Sequence, residues 1–130
     1  MPMILVADDD DFIRLLLRRT LERAGYLVSE ASNGREAMRL YNDLRPACVI
    51  TDLVMPEQEG IETIMQMRQH SHTAPIIATS GQFDAMAAHY LKVAQSLGAD
   101  AVLQKPFTVE QILELVARFA GTPAEKPAGA

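Results

Sequence analysis

What the chain has little of narrows the field first. It has one cysteine in 130 residues. Cys48 sits inside an apolar run, so a disulfide framework is excluded and the thiol reads as a small core group in a reducing compartment. No apolar stretch approaches the roughly 20 residues needed to cross a bilayer, and membrane insertion is not expected. Residues 1–6 run straight into acids with no positive leader and no small-residue cleavage site, which points to the cytoplasm. Positive charge is also short. A net charge of −5 argues against direct, salt-driven binding to nucleic acid, which needs clustered Lys and Arg. Arg14, Arg18, Arg19 and Arg23 do recur at helical spacing, but a solvated helix face accounts for them. Lysine is limited to Lys92, Lys105 and Lys126. No glycine-rich cradle follows a strand, which counts against nucleotide binding.

The remaining composition is that of an ordinary soluble domain, with 48% hydrophobic and 22% charged residues. A chain of this size buries roughly two thirds of its unfolded surface without disulfides or structural metal. One domain is expected over residues 1–120. Residues 121–130 carry no apolar face and are expected to form a disordered tail.

Apolar runs too short for helices alternate with stretches of helical periodicity. The runs cover Met3 to Ala7, Tyr26 to Ala31, residues 47–52, Pro75 to Thr79 and Ala101 to Gln104. The first is continuously apolar, the pattern of a strand covered on both faces, whereas Ser29 and Glu30 place the second nearer an edge. Between them, Phe12, Ile13, Leu15, Leu16, Leu17 and Leu21 recur at helical spacing before Gly25. A second helix opens on Asn33 with Glu36 in the capping-box position and stops ahead of Pro46. Further helices are expected over about Glu59 to His70 and Phe83 to Leu97, and a last one opens on a Thr108–Gln111 capping box. Strand–helix alternation of this kind predicts an α/β fold, a doubly wound five-stranded parallel sheet with ligands beyond the carboxyl ends of its strands.

At those ends stand Asp8 and Asp9, Asp52, Ser80 and Lys105. Each has a plainer reading: Asp52 as a turn aspartate, Ser80 as a helix N-cap, Lys105 as a surface ammonium. Their convergence on one edge argues otherwise. Carboxylates brought together repel by roughly 4 kcal/mol per pair at 4 Å and an effective dielectric of 20, so a cation must compensate. A hard ion with oxygen ligands, Mg²⁺ or alternatively Mn²⁺, suits such a cluster better than zinc, because His70, His72 and His89 are not at strand ends. Asp52, presented at its strand end, would attack a phosphoryl group as a carboxylate nucleophile, with Lys105 and Ser80 donating to the phosphoryl oxygens. Asp10 and Asp11 read as the acidic start of the first helix.

Four motifs in order carry a family resemblance over residues 3 to about 120: Ile-Leu-Val-Ala-Asp-Asp-Asp, Asp-Leu-Val-Met-Pro-Glu-Gln-Glu-Gly from Asp52, Pro-Ile-Ile-Ala-Thr-Ser, and Gly-Ala-Asp followed by Lys-Pro-Phe. The sequence resembles the receiver domain of bacterial two-component response regulators. The resemblance implies a flavodoxin-like (βα)5 fold with strand order 2-1-3-4-5 and a cis Lys105–Pro106 bond. It implies that Asp52 accepts phosphate from a sensor histidine kinase or histidine phosphotransfer protein. Asp9, Asp52 and the Val54 carbonyl would bind Mg²⁺ directly, Asp8 mainly through water, and Ser80 and Lys105 would contact the phosphoryl group. Such a domain is a signalling switch and not a turnover enzyme.

Two departures bear on output. Val102 stands where the family usually has a Tyr or Phe switch, and the Ser80 to Lys105 stretch is a few residues longer than usual. With no effector domain expected after the fifth helix, output is a protein contact in trans. Met86, His89, Tyr90, Val93 and Val102 are its candidate residues, and a core role competes for most of them. A homodimer through the same face is a secondary expectation. A receiver-like adaptor that no longer switches is an alternative. An aspartyl-phosphate phosphohydrolase is a weaker one, because the second acid those enzymes use falls at Val54.

Overall fold

The structure, a computed structural model, describes residues 2–53, 60–70, 72–81 and 87–123. Among these, strands and helices alternate as β1 (Met3–Ala7), α1 (Asp11–Arg23), β2 (Leu27–Ala31), α2 (Gly34–Leu44), β3 (Cys48–Asp52), α3 (Gly60–Arg68), β4 (Ile76–Ser80), α4 (Ala87–Ser96), β5 (Ala101–Gln104) and α5 (Val109–Ala120). The strands form one parallel sheet in the order β2-β1-β3-β4-β5. β1, β3 and β4 are the inner strands, and β3 and β4 are buried along their whole length, which is why their sequences begin in apolar runs rather than alternating, before ending in Thr51-Asp52 and Thr79-Ser80.

Local chemistry sets the element ends. The Asp10 carboxylate accepts from the Phe12 and Ile13 amides and caps α1, with Asp11 in its first turn. Asn33 accepts from the Glu36 amide at 2.8 Å. Thr108 and Gln111 form a reciprocal capping box at the start of α5. α2 ends on Arg45, driven to φ 46° just before Pro46, where the proline ring disfavours helical geometry.

Two cores cover the sheet. α2, α3 and α4 pack Tyr41, Ile64, Met67 and Ala94 over one face. α1 and α5 pack Leu17, Leu21, Ile112 and Val116 over the other. Only one row of the apolar residues expected to face inward on α1 does so: Leu17 and Leu21 are buried with Ile13 against them, whereas Phe12, Leu15 and Leu16 are 71%, 45% and 38% exposed. At 100° per residue a single helix row at i, i+4 and i+8 meets the sheet, and the adjacent row turns outward.

Opposite the carboxyl edge, Arg68 ties α3 to the starts of β4 and β5 by donating to the carbonyls of Ala74 and Gly98 and to Asp100. The first residues of the expected tail are held. The Tyr26 hydroxyl donates to the Gly121 carbonyl at 2.8 Å, and Pro123 lies against Gly25. Residues 124–130 lie outside the described part. No helix among the described residues is long and apolar enough to cross a membrane.

Candidate functional site

β1 and β3 are neighbours with Ala7 in register with Thr51, so Asp8 and Asp52 leave the sheet at one edge. The winding reverses between these strands, since β1 leads outward to β2 and β3 leads the other way to β4 and β5. Such a reversal opens a crevice at the carboxyl ends. There, ligand atoms of Asp8, Asp9 and Asp52 lie within 4.8 Å of one another.

The three acids differ in exposure. Asp8 is 2% exposed and Asp52 7%, while Asp9 is open to solvent. Asp52 is therefore buried and not presented as its place at a strand end suggests. It is still inside β3, between β1 and β4, and the Gly60 amide donates to the Leu53 carbonyl at 3.0 Å, closing the start of α3 over the strand end.

Lys105 reaches in from just beyond β5, anchored by its amide donating to the Ser80 carbonyl at 2.8 Å. Its Nζ donates to Asp8 Oδ2 at 2.8 Å and Asp52 Oδ2 at 3.1 Å. Burial of the ammonium lowers its pKa, but hydrogen bonds and charge from Asp8 and Asp52 outweigh burial, and the net shift is upward from 10.5. Lys105 is the compensating cation that clustered carboxylates require, and its bond to Pro106 is cis.

Asp8 is held on every side. Its amide donates to the Ala31 carbonyl at 3.1 Å, its Oδ1 accepts from the Asp10 amide at 2.9 Å, and its carbonyl accepts from Arg14 Nη1 at 2.8 Å. Arg14 was expected on a solvated face. Instead it and Arg18 both pair with Glu30 on β2, while Arg19 and Arg23 are exposed. The sequence does hold a signal for this: helical side chains lean toward the helix start, so an Arg in the first turns of α1 reaches back over the preceding loop.

Ser80 ends β4, beside Asp52's register partner Thr79. It is fully buried, and its Oγ is the buried side-chain polar atom that, among the described residues, has no hydrogen-bond partner. It caps no helix. Cys48 is buried, and burial pushes its thiol up to about 12, leaving it protonated and inert at neutral pH.

Val54, Met86 and the side chain of Tyr90 lie outside the described residues. Val102 pairs with Ala78 in register and packs, partly buried, on the core beneath α4. His89 is exposed.

The fold and this edge define a class first: a doubly wound α/β domain whose switch point gathers three carboxylates, a lysine and a buried unpartnered hydroxyl. Residues 4–117 match the family model of the response regulator receiver domain, and the chain belongs to that family, the receivers of two-component systems, which are signalling domains and not classic enzymes. It is 36% identical over 110 residues to the transcriptional regulatory protein SrrA of Staphylococcus aureus, a match covering 85% of this chain and 44% of that regulator. The chain thus spans less than half the length of that relative. Among solved structures, it is similar to the receiver domain of Francisella response regulator 1452 (TM-score 0.83, 27% identity, 92% of this chain and 97% of that one). It is also similar to the Vibrio cholerae chemotaxis protein CheY4 (TM-score 0.81, 30% identity, 92% and 98%). The expected fold and strand order are those observed.

Proposed function

We propose that Asp52 accepts a phosphoryl group from the phosphohistidine of a sensor kinase or phosphotransfer protein, and that the resulting acyl phosphate alters contacts with a downstream protein. The observation that carries this reading is the convergence of Asp8, Asp9 and Asp52 within 4.8 Å with Lys105 bonded to two of them. An Asp52 carboxylate oxygen attacks phosphorus, the bond from phosphorus to the donor nitrogen breaks, and the electron pair stays on the imidazole. An ionised carboxylate needs no general base. Charge on the three transferred oxygens is met by positioned donors. The Lys105 ammonium is one. The Ser80 hydroxyl is the other, and its lack of a partner supports this, since an unsatisfied buried donor costs about 1–3 kcal/mol and an arriving phosphoryl oxygen would satisfy it.

An all-carboxylate donor set fits Mg²⁺, or Mn²⁺, better than a metal preferring nitrogen or sulfur. Asp9 and Asp52 would hold it, with Asp8 acting mainly through water and the Val54 carbonyl completing the set. Bound there, the ion would supply charge neutralisation at a phosphoryl oxygen.

A donor protein reaching Asp52 must stand over the edge beside α1. Phe12, Ile13, Leu16, Pro106 and Phe107 line a groove of about 440 Å³ there, with Asp10 and Lys105 in its wall. Its apolar lining suits a protein surface, which a small phosphate donor does not need. Output falls to the face of α4, β5 and α5.

The test is incubation with Mg²⁺ and acetyl phosphate, followed by intact-mass measurement. One phosphoryl adduct is expected, lost in Asp52→Asn. No adduct in the wild-type protein overturns the reading. Val102, packed on the core in place of a switching aromatic, favours a second reading, a non-switching adaptor. An adduct or beryllium fluoride complex that leaves partner affinity unchanged would select it.

A further inference from the structure

We propose that Arg14 is a positioning residue for the acidic cluster: by holding the carbonyl of the Asp8–Asp9 peptide it sets where the Asp9 carboxylate projects, and with it the affinity for a divalent cation. This rests on the reading of the cluster as a Mg²⁺ site.

The Asp8 carbonyl belongs to the planar unit that joins Asp8 to Asp9, so fixing its oxygen fixes the plane from which Asp9 departs. Arg14 Nη1 makes that contact at 2.8 Å. The other restraints on Asp8, from Ala31, Asp10 and Lys105, act on its amide and its carboxylate. Asp9 itself is exposed, and among the described residues its carboxylate has no hydrogen-bond or ion-pair partner, so nothing else there aims it.

The guanidinium is in turn fixed from outside the loop. Arg14 pairs with Asp11 in its own helix and, at 3.3 Å, with Glu30. Glu30 is also gripped by Arg18, which pairs with Glu22. A chain of charges thus runs from edge strand β2 through α1 to the peptide between two of the acids. A planar fork serves three acceptors in fixed directions, which a lysine ammonium on a flexible stem does not.

The sign of the effect separates positioning from simple charge. A cation beside the cluster repels Mg²⁺, so if Arg14 acted through charge alone, its removal would tighten metal binding. If it positions Asp9, removal weakens binding. Calorimetric Mg²⁺ titration of the wild-type protein, Arg14→Gln, Arg14→Lys and Glu30→Gln decides, with Asp9→Asn as the control for the site. Both Arg14 variants are expected to bind Mg²⁺ about tenfold more weakly, the scale of outer-shell substitutions at metal sites, and Glu30→Gln to move the same way by less. Equal or tighter binding by Arg14→Gln overturns the proposal, as does wild-type affinity in Arg14→Lys. Should Arg14→Gln fail to fold, unchanged affinity in Glu30→Gln overturns it. A wild-type protein that binds no Mg²⁺, or binds it equally with Asp9→Asn, instead removes the metal reading itself.

Discussion

Gly60 packs its bare Cα against the carbonyl of Asp52. A side-chain carbon there would stand 2.1 Å from that oxygen and 2.6 Å from the Leu53 Cα. Both are backbone atoms, so an added methyl displaces either the end of β3 or the start of α3. Gly60→Ala is expected to lower stability by about 1–3 kcal/mol, the usual cost of overpacking, measured by urea denaturation. It should also slow labelling of Asp52 by acetyl phosphate under conditions where the variant is fully folded. A variant as stable as wild type would show that the two backbones do not meet.

Ser80→Ala separates stability from activity. Removing a buried hydroxyl that has no partner removes an unsatisfied group, so unfolding stability should hold or rise by about 1 kcal/mol. Acetyl phosphate labelling should slow because a donor to the phosphoryl group is gone. A clear loss of stability would mean the hydroxyl already has a partner in solution.

The Lys105 ammonium links stability to alkaline pH. Its pKa is raised in the folded protein, because hydrogen bonds and charge from Asp8 and Asp52 outweigh the lowering effect of burial. A group with a raised folded value contributes fully below its ordinary 10.5 and loses that contribution as pH rises through the folded value. The difference in unfolding free energy between wild type and Lys105→Met should therefore be flat at neutral pH and shrink in the alkaline range. At neutral pH the variant should be less stable by about 3–5 kcal/mol, the cost of breaking a buried pair, and Mg²⁺ should restore part of it. A difference that grows with alkalinity would refute the assignment.

Phe12 is 71% exposed at the groove beside the acids. Phe12→Asp should slow transfer from a phosphorylated donor protein and leave labelling by acetyl phosphate unchanged, since a small donor does not cover the groove. Both rates are read by quenched-flow phosphorylation. Equal effects on the two donors would place Phe12 in the chemistry and not in docking.

How far each element was legible follows from how local its cause is. The caps at Asn33 and Thr108, the acidic start of α1 and the stop before Pro46 depend on neighbours a few residues away, and the sequence shows them, whereas the capping role of Asp10 came from the structure. β4 proved one residue later than its apolar run suggests, Ile76–Ser80, because pairing with β5, where Ser80 is in register with Gln104, and not composition ends the strand. That shift puts Ser80 inside the sheet. On α3, Thr63, Ile64 and Met67 face the core while Met65 is 44% exposed, a choice that helix orientation makes and periodicity alone does not.

The order of apolar runs and breaks, together with acids, a hydroxyl and a lysine at the ends of particular runs, determined the layered fold and named the residues of its carboxyl edge, because both follow from contacts near in the chain. Tertiary structure alone decided that Asp52 is buried, that Ser80 lacks a partner, and that Arg14 pairs with Glu30 of β2 instead of facing water. Each of those depends on which strand lies beside which, and in what register, and pairing of residues so distant in sequence is set by the whole packed sheet.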